Sequence, residues 1–146
     1  ALVRRIDAGL PRIDRLTDIY NAVSVEHLVP IGGENLDRYA GSPRLVRAAG
    51  DEPFDTVADG EQVVVTAEQG EVVWRDDLGV TCRRWNWRQC VRTRLDESTT
   101  NILFILDGLA PMTTPALEAA GQALMDAISS DSPDATSTVR LIDHVT

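Results

Sequence analysis

Apolar positions recur at three- and four-residue intervals early in the chain and give way to strand-length runs in its middle. The opening residues Leu2–Ala8 predict a short helix stopped by Gly9. Pro11 stands where a second helix can begin, and Ile13, Leu16, Ile19 or Tyr20, and Val23 follow amphipathic spacing, so that helix is predicted to run to about His27 and to end before Pro30. Ile31-Gly-Gly-Glu-Asn and Tyr39-Ala-Gly-Ser-Pro carry turn signals. Beyond them Arg44-Leu-Val-Arg-Ala-Ala, closed by Gly50-Asp-Glu-Pro, and the β-branched Gln62-Val-Val-Val-Thr predict strands. Gly70-Glu-Val-Val-Trp-Arg and Val80-Thr-Cys-Arg-Arg-Trp flank the polar Asp76-Asp-Leu-Gly and predict a hairpin. Ile102-Leu-Phe-Ile-Leu predicts a central strand covered on both faces. Thr114, as N-cap, and Pro115 then start a helix whose inward residues are Leu117, Leu124 and Ile128, and Thr138-Val-Arg-Leu-Ile predicts a last strand. Helices, then strands, then helix and strand make an α+β fold in one domain over residues 1–146.

Composition narrows what such a domain does. The apolar share of 43% and charged share of 25% are those of a globular protein able to bury a core. No apolar run approaches a membrane span, and the first residues do not form a secretory signal, so a cytoplasmic protein is expected. Cys82 and Cys90, eight residues apart, would lie roughly 26 Å from each other in one extended strand, too far for a disulfide. His27 and His144 lack metal-ligand companions, so neither metal nor other cofactor is expected. The net charge of −9 argues against a broad nucleic-acid surface and against DNA as a partner, so any RNA contact must be local.

One segment departs from that acidic background. Residues 82–94, Cys-Arg-Arg-Trp-Asn-Trp-Arg-Gln-Cys-Val-Arg-Thr-Arg, hold five arginines and no acid. With 14 cations and 23 anions in the whole chain, the other residues carry a net −14. As one strand, the segment would set Arg84, Asn86 and Arg88 on one face. Arg83, Trp85, Trp87 and Gln89 would share the other, the tryptophans either packing on the core or partly forming a stacking surface. A row of guanidinium, amide and guanidinium suits phosphate or carboxylate, whereas arginines paired with surface acids and tryptophans in the core would be purely structural.

The runs Leu10-Pro-Arg-Ile-Asp, Asp18-Ile-Tyr-Asn-Ala-Val-Ser and Pro30-Ile-Gly-Gly, then Leu45-Val-Arg-Ala-Ala-Gly-Asp-Glu-Pro-Phe, Gly70-Glu-Val-Val-Trp and Cys82-Arg-Arg-Trp-Asn-Trp-Arg, resemble the B3/B4 domain in content and order. That domain is the editing module of the bacterial phenylalanyl-tRNA synthetase β subunit and also occurs in free-standing proteins, which this chain resembles more closely over about residues 2–128. The resemblance implies mixed β-sheets with helices packed on one side. It also implies hydrolysis in trans of the ester between a wrong amino acid and the 3′-terminal ribose of a tRNA, a non-protein arginine analogue being one substrate class of the family. The implied partners are the acceptor end of aminoacyl-tRNA and an aminoacyl-tRNA synthetase. Two departures stand out. Free-standing members carry additional sequence before the first helix, whereas this chain starts at Ala1 without an initiator methionine. The glycine-rich segment that bears an acidic pocket residue in the synthetase-embedded form has no evident counterpart.

An activated ester needs an aimed water and oxyanion donors rather than a metal or a covalent nucleophile. Glu52 is the candidate base or α-ammonium acceptor, with Glu71 a weaker version of the same idea, and His27 the candidate to orient water or contact ribose. Asn21 and Ser24, one helical turn apart, are candidate substrate contacts, although Ser24 equally suits a helix terminus. Arg83, Asn86 and Arg88 are candidates for a polar side chain or terminal phosphates, and Thr93 for an oxyanion or ribose contact. A module that binds aminoacyl-tRNA or a free amino acid without hydrolysis is the alternative.

Overall fold

The computed structural model describes residues 15–142. The expected short helix at Leu2–Ala8, the helix start at Pro11 and Ile13 lie outside those residues. The chain divides into two compact units, one contributed by both ends of the sequence and the other by Gly32–Asp107.

The first unit contains α1 (Arg15–His27) and α2 (Thr114–Asp131), which pack on each other. The buried residues of α1 are Thr17, Asn21, Val23 and Ser24, so a polar stripe is buried while Leu16, Ile19 and Tyr20 stay half-buried. The end of α1 is closed by Ser24, whose carbonyl accepts from Val29 N at 3.2 Å and whose hydroxyl donates to Val29 O at 2.6 Å, with Leu28 left-handed at φ 53°. In α2 the cap is Thr113 rather than the expected Thr114, its side chain accepting from Ala116 N. Ala120 and Leu124 are its buried residues, while Leu117 and Ile128 are half-buried. Arg15 forms an ion pair with Asp131, joining the start of α1 to the end of α2.

The second unit carries the strands β1 (Ile31–Asn35), β2 (Arg44–Arg47), β3 (Pro53–Ala58), β4 (Glu61–Thr66), β5 (Val72–Arg75), β6 (Val80–Arg83), β7 (Arg88–Gln89) and β8 (Ile102–Leu106). They form sheets ordered β1-β8, β2-β5-β6-β7 and β3-β4. β3 and β4 are joined at Asp59-Gly60, both left-handed, the backbone that a tight hairpin requires. Within β5, consecutive residues point to opposite faces. Val73 joins Phe54, Ala48, Ala67, Val80 and Cys90, whereas Trp74 joins Cys82 and Ile105. A bulge shifts the register between Trp74 and Arg75, which pair with Cys82 and Val80 and leave Thr81 as the extra residue. Val80 and Cys82 can therefore reach opposite clusters despite their two-residue spacing. Complete burial of Phe54 contributes about 1.5–3 kcal/mol.

The second unit corrects several expectations. Ile31-Gly-Gly-Glu-Asn is a strand buried at all five positions, not a turn. Ile102–Leu106 pairs in a two-stranded sheet and buries fully only Ile105, so it is not a central strand. Residues 82–94 are not one strand. The chain reverses at 84–87 and returns as β7, with Arg84 at φ 50° and Trp85 at φ 64°. That reversal pairs Cys82 with Gln89 and bonds Cys90 N to Thr81 O, so the wide separation expected of the cysteines disappears. Both remain free thiols, one in each core cluster. At the other end of the chain, Thr138–Ile142 is exposed and forms no strand.

Candidate functional site

The second unit concentrates buried polar chemistry around β1, β6 and β8. Gly32 permits this arrangement. A Cβ at that position would lie 2.9 Å from Asn86 Cβ and 3.0 Å from Gln89 Nε2, so a side chain there would push the 84–87 turn away. Gln89 Nε2 donates to Gly33 O at 3.1 Å, and Asn86 Nδ2 donates to Ile105 O at 3.2 Å. The turn is thereby tied to both strands of the two-stranded sheet.

Glu34 follows the glycine pair and is 1% exposed. Its Oε1 accepts from Thr93 Oγ1 at 2.7 Å, and its Oε2 accepts from the Tyr39 phenol. Thr81 Oγ1 lies 3.3 Å from that phenol oxygen, and Cys90 Sγ lies 3.1 Å from Thr93 Oγ1. Burial pushes the Glu34 carboxyl above the usual range, against the opposing effect of the Tyr39 and Thr93 hydroxyls. Burial also raises the Cys82 and Cys90 thiols and the Tyr39 phenol, disfavouring thiolate and phenolate in this cluster.

Asp107, immediately after β8, stands in a different situation. It is 7% exposed, and its Oδ1 accepts from the Trp74 indole at 3.3 Å. Its Oδ2 is buried with no hydrogen-bond partner among the described residues. Burial pushes this carboxyl up to about 6, with the indole N–H only partly offsetting the effect. A carboxyl that is half-ionised at about pH 6 and has one oxygen unbonded is equipped to accept a proton or hold a cation.

Among the other acids, Asp18 in α1 also has one buried oxygen, Oδ1, with no hydrogen-bond partner among the described residues, whereas Asp76 and Glu52 are held in ion pairs and turns. Asp76 is fully buried, and burial alone would raise it. Arg92, at 2.8 and 3.0 Å, and the amides of Ala40 and Leu78 outweigh that effect and hold it below the usual range. A depression of about 240 Å³ lined by Asp55, Thr56, Gln62, Val63, Val64 and Val91 shares no residue with the Glu34 and Asp107 groups.

The residues singled out from the sequence fall in several environments. Glu52 is buried and holds a turn, its oxygens accepting from Ala49 N at 2.7 Å and Gly50 N at 3.0 Å, with Arg75 Nη1 3.5 Å away. Those amides keep its carboxyl below the usual range. Arg83 forms a forked pair with Glu71, Nη2 donating at 2.6 Å, and its guanidinium lies 5.6 Å from the Phe54 ring centre. Asn86 sits in the reversal and Arg88 is exposed, so the expected row of Arg84, Asn86 and Arg88 on one strand face does not form. Thr93 is fully buried against Glu34. Asn21 and Ser24 are buried in α1, and His27 is half-buried at its end. Trp85 is half-buried and Trp87 is 61% exposed, so the two do not pack together on the core as one strand face, and the expected alternative of a partial stacking surface stays open.

Sequence reasoning missed Glu34, Tyr39 and Asp107. The available signals were an acid directly after Gly32-Gly33 and an acid ending an apolar strand. No helix among the described residues is long and apolar enough to cross a membrane. The model of one protein family, the B3/4 domain, matches residues 1–123. That domain is found in the phenylalanyl-tRNA synthetase β subunit, and the family is tied to tRNA binding. No curated protein matches the chain.

Proposed function

Because the chain belongs to the B3/4 domain family, we propose that it hydrolyses a mischarged aminoacyl-tRNA in trans, with Asp107 as the base. The observation that carries this reading is the buried, unbonded Oδ2 of Asp107 on a carboxyl raised to about 6. Water attacks the ester carbonyl and gives a proton to Asp107. The ribose oxygen then leaves and takes that proton back from Asp107, so that amino acid and tRNA are released and the carboxylate is restored. Asp107 displaces Glu52 in the role of base because two backbone amides already engage the Glu52 carboxylate and favour its ionised, weakly basic state. Asn86 positions the turn beside β8 through Ile105 O, and Thr93 keeps Glu34 in place.

The test is deacylation of a panel of correctly and incorrectly charged tRNAs by the parent, Asp107→Asn and Asn86→Ala. One mischarged species should be hydrolysed selectively, and Asp107→Asn should lower its rate by roughly 10²–10⁴-fold, the usual contribution of a general base. The parent rate should rise with pH through about 6 and level off above it, because only ionised Asp107 accepts the proton. Stability carries the opposite sign. The folded value lies above the ordinary carboxyl range, so the stability that the neutral group supplies is lost as pH rises through about 6. Saturable binding of aminoacyl-tRNA by folded protein with no turnover would instead establish a binding module.

A further inference from the structure

The turn between β6 and β7 displays an aromatic ring that the core does not use. Trp74 fills the interior, whereas Trp87 is 61% exposed. The Arg84 guanidinium lies 5.8 Å from the Trp87 ring centre, and Arg88 follows, also exposed. Arg83 and Arg92 of the same basic stretch are neutralised by Glu71 and Asp76, but Arg84 and Arg88 join no ion pair among the described residues. The turn is held in place. Trp87 N donates to Arg84 O at 3.3 Å, Asn86 Nδ2 reaches Ile105 O, and Asn86 Cβ backs onto Gly32.

From this arrangement we propose that Trp87, Arg84 and Arg88 form a stacking platform for the unpaired 3′-terminal nucleotides of an RNA. A base stacks on the indole and the arginines meet the adjoining phosphates. The choice of RNA rests on the deacylase reading above. Charge complementarity favours a polyanion here and nowhere broad, since the chain as a whole carries −9. An acidic peptide would use the arginines but gain little from an exposed ring, whereas every nucleobase has a face to place on it.

The probe is an uncharged, fluorescently labelled RNA hairpin with a four-nucleotide single-stranded 3′ end, compared with the same hairpin made blunt. The 146-residue chain should bind the overhang at least about tenfold more tightly than the blunt form. Trp87→Ala should weaken overhang binding about tenfold or more, and Trp87→Phe should restore most of it. Circular dichroism of each variant confirms the fold, which an exposed ring does not support. Equal binding of blunt and overhang forms, or unchanged binding by Trp87→Ala, would overturn the platform. So would displacement of the RNA by an acidic peptide as readily as by unlabelled single strand. Because the hairpin carries no ester, the two proposals fail separately. Hydrolysis without overhang preference sinks the platform alone, and overhang preference without hydrolysis sinks the deacylase alone.

Discussion

Glu34 and Asp107 are both buried acids, yet their surroundings assign them different work. Glu34 has two hydroxyl donors, Tyr39 and Thr93, and completes a closed polar cluster. Asp107 has one donor and an open acceptor. Removing Glu34 takes an acceptor from the Tyr39 and Thr93 hydroxyls and leaves a void, so Glu34→Ala should cost roughly 2–5 kcal/mol by urea denaturation. Glu34→Gln keeps the volume and should cost less. The pH dependence separates charge from packing. Burial raises the folded Glu34 carboxyl above its unfolded value, so its contribution is full below the unfolded value and is lost as pH rises through the raised one. The advantage of the parent over Glu34→Gln should therefore shrink between acidic and alkaline buffer. An advantage that grows with pH would show that burial does not govern this group. None of this was legible at residue scale, because an acid following two glycines in a turn-rich stretch reads as solvated. Its burial depends on a strand pairing that the local sequence does not announce.

At the scale of elements, the sequence indicated the second helix, the hairpin at Asp76-Asp-Leu-Gly and the strands around it, because period and turn chemistry agree there. It concealed the reversal at 84–87 for a specific reason. Arg84 and Trp85 adopt left-handed backbone with neither glycine nor asparagine at those positions, so the turn carries no breaker signal and Cys82–Arg94 reads as one strand. Asp59-Gly60 is the converse, a strong hairpin signal that makes β3 legible in retrospect. Gly32-Gly33 looked like a turn because glycine pairs usually are. Here glycine is required by close approach, with Asn86 Cβ beside the strand. Gly32→Ala should cost about 1–3 kcal/mol and displace the 84–87 turn. Gly70→Ala has open space around the new methyl and meets only its left-handed backbone, at about 1–2 kcal/mol, and it should leave the 84–87 turn in place. Thermal unfolding of both variants, with tryptophan emission compared between Trp87-containing and Trp87→Phe backgrounds to isolate the ring in the turn, checks the difference. Equal losses and unchanged emission would mean that Gly32 is not what seats the turn.

For the whole molecule, the decisive quantity is where its charge remains unpaired. The sequence showed a basic segment on an acidic chain but not which arginines were free, because Glu71 lies 12 residues from Arg83 and Asp76 lies 16 from Arg92. With those pairs formed, Arg84 and Arg88 are the cations of the displayed turn, and the remainder of the chain repels a polyanion. Single-stranded contact through two arginines releases few counterions, so the logarithm of the binding constant for the overhang hairpin should fall with the logarithm of salt at a slope of about −1.4. Repulsion from the acidic remainder, itself screened by salt, makes that slope shallower rather than steeper. Arg84→Ala should flatten it by about 0.7, whereas Trp87→Ala should lower the affinity at every salt concentration and leave the slope alone. A parent slope steeper than about −3 would require more phosphate contacts than two arginines can make. It would move the RNA interface away from this turn to a basic surface elsewhere.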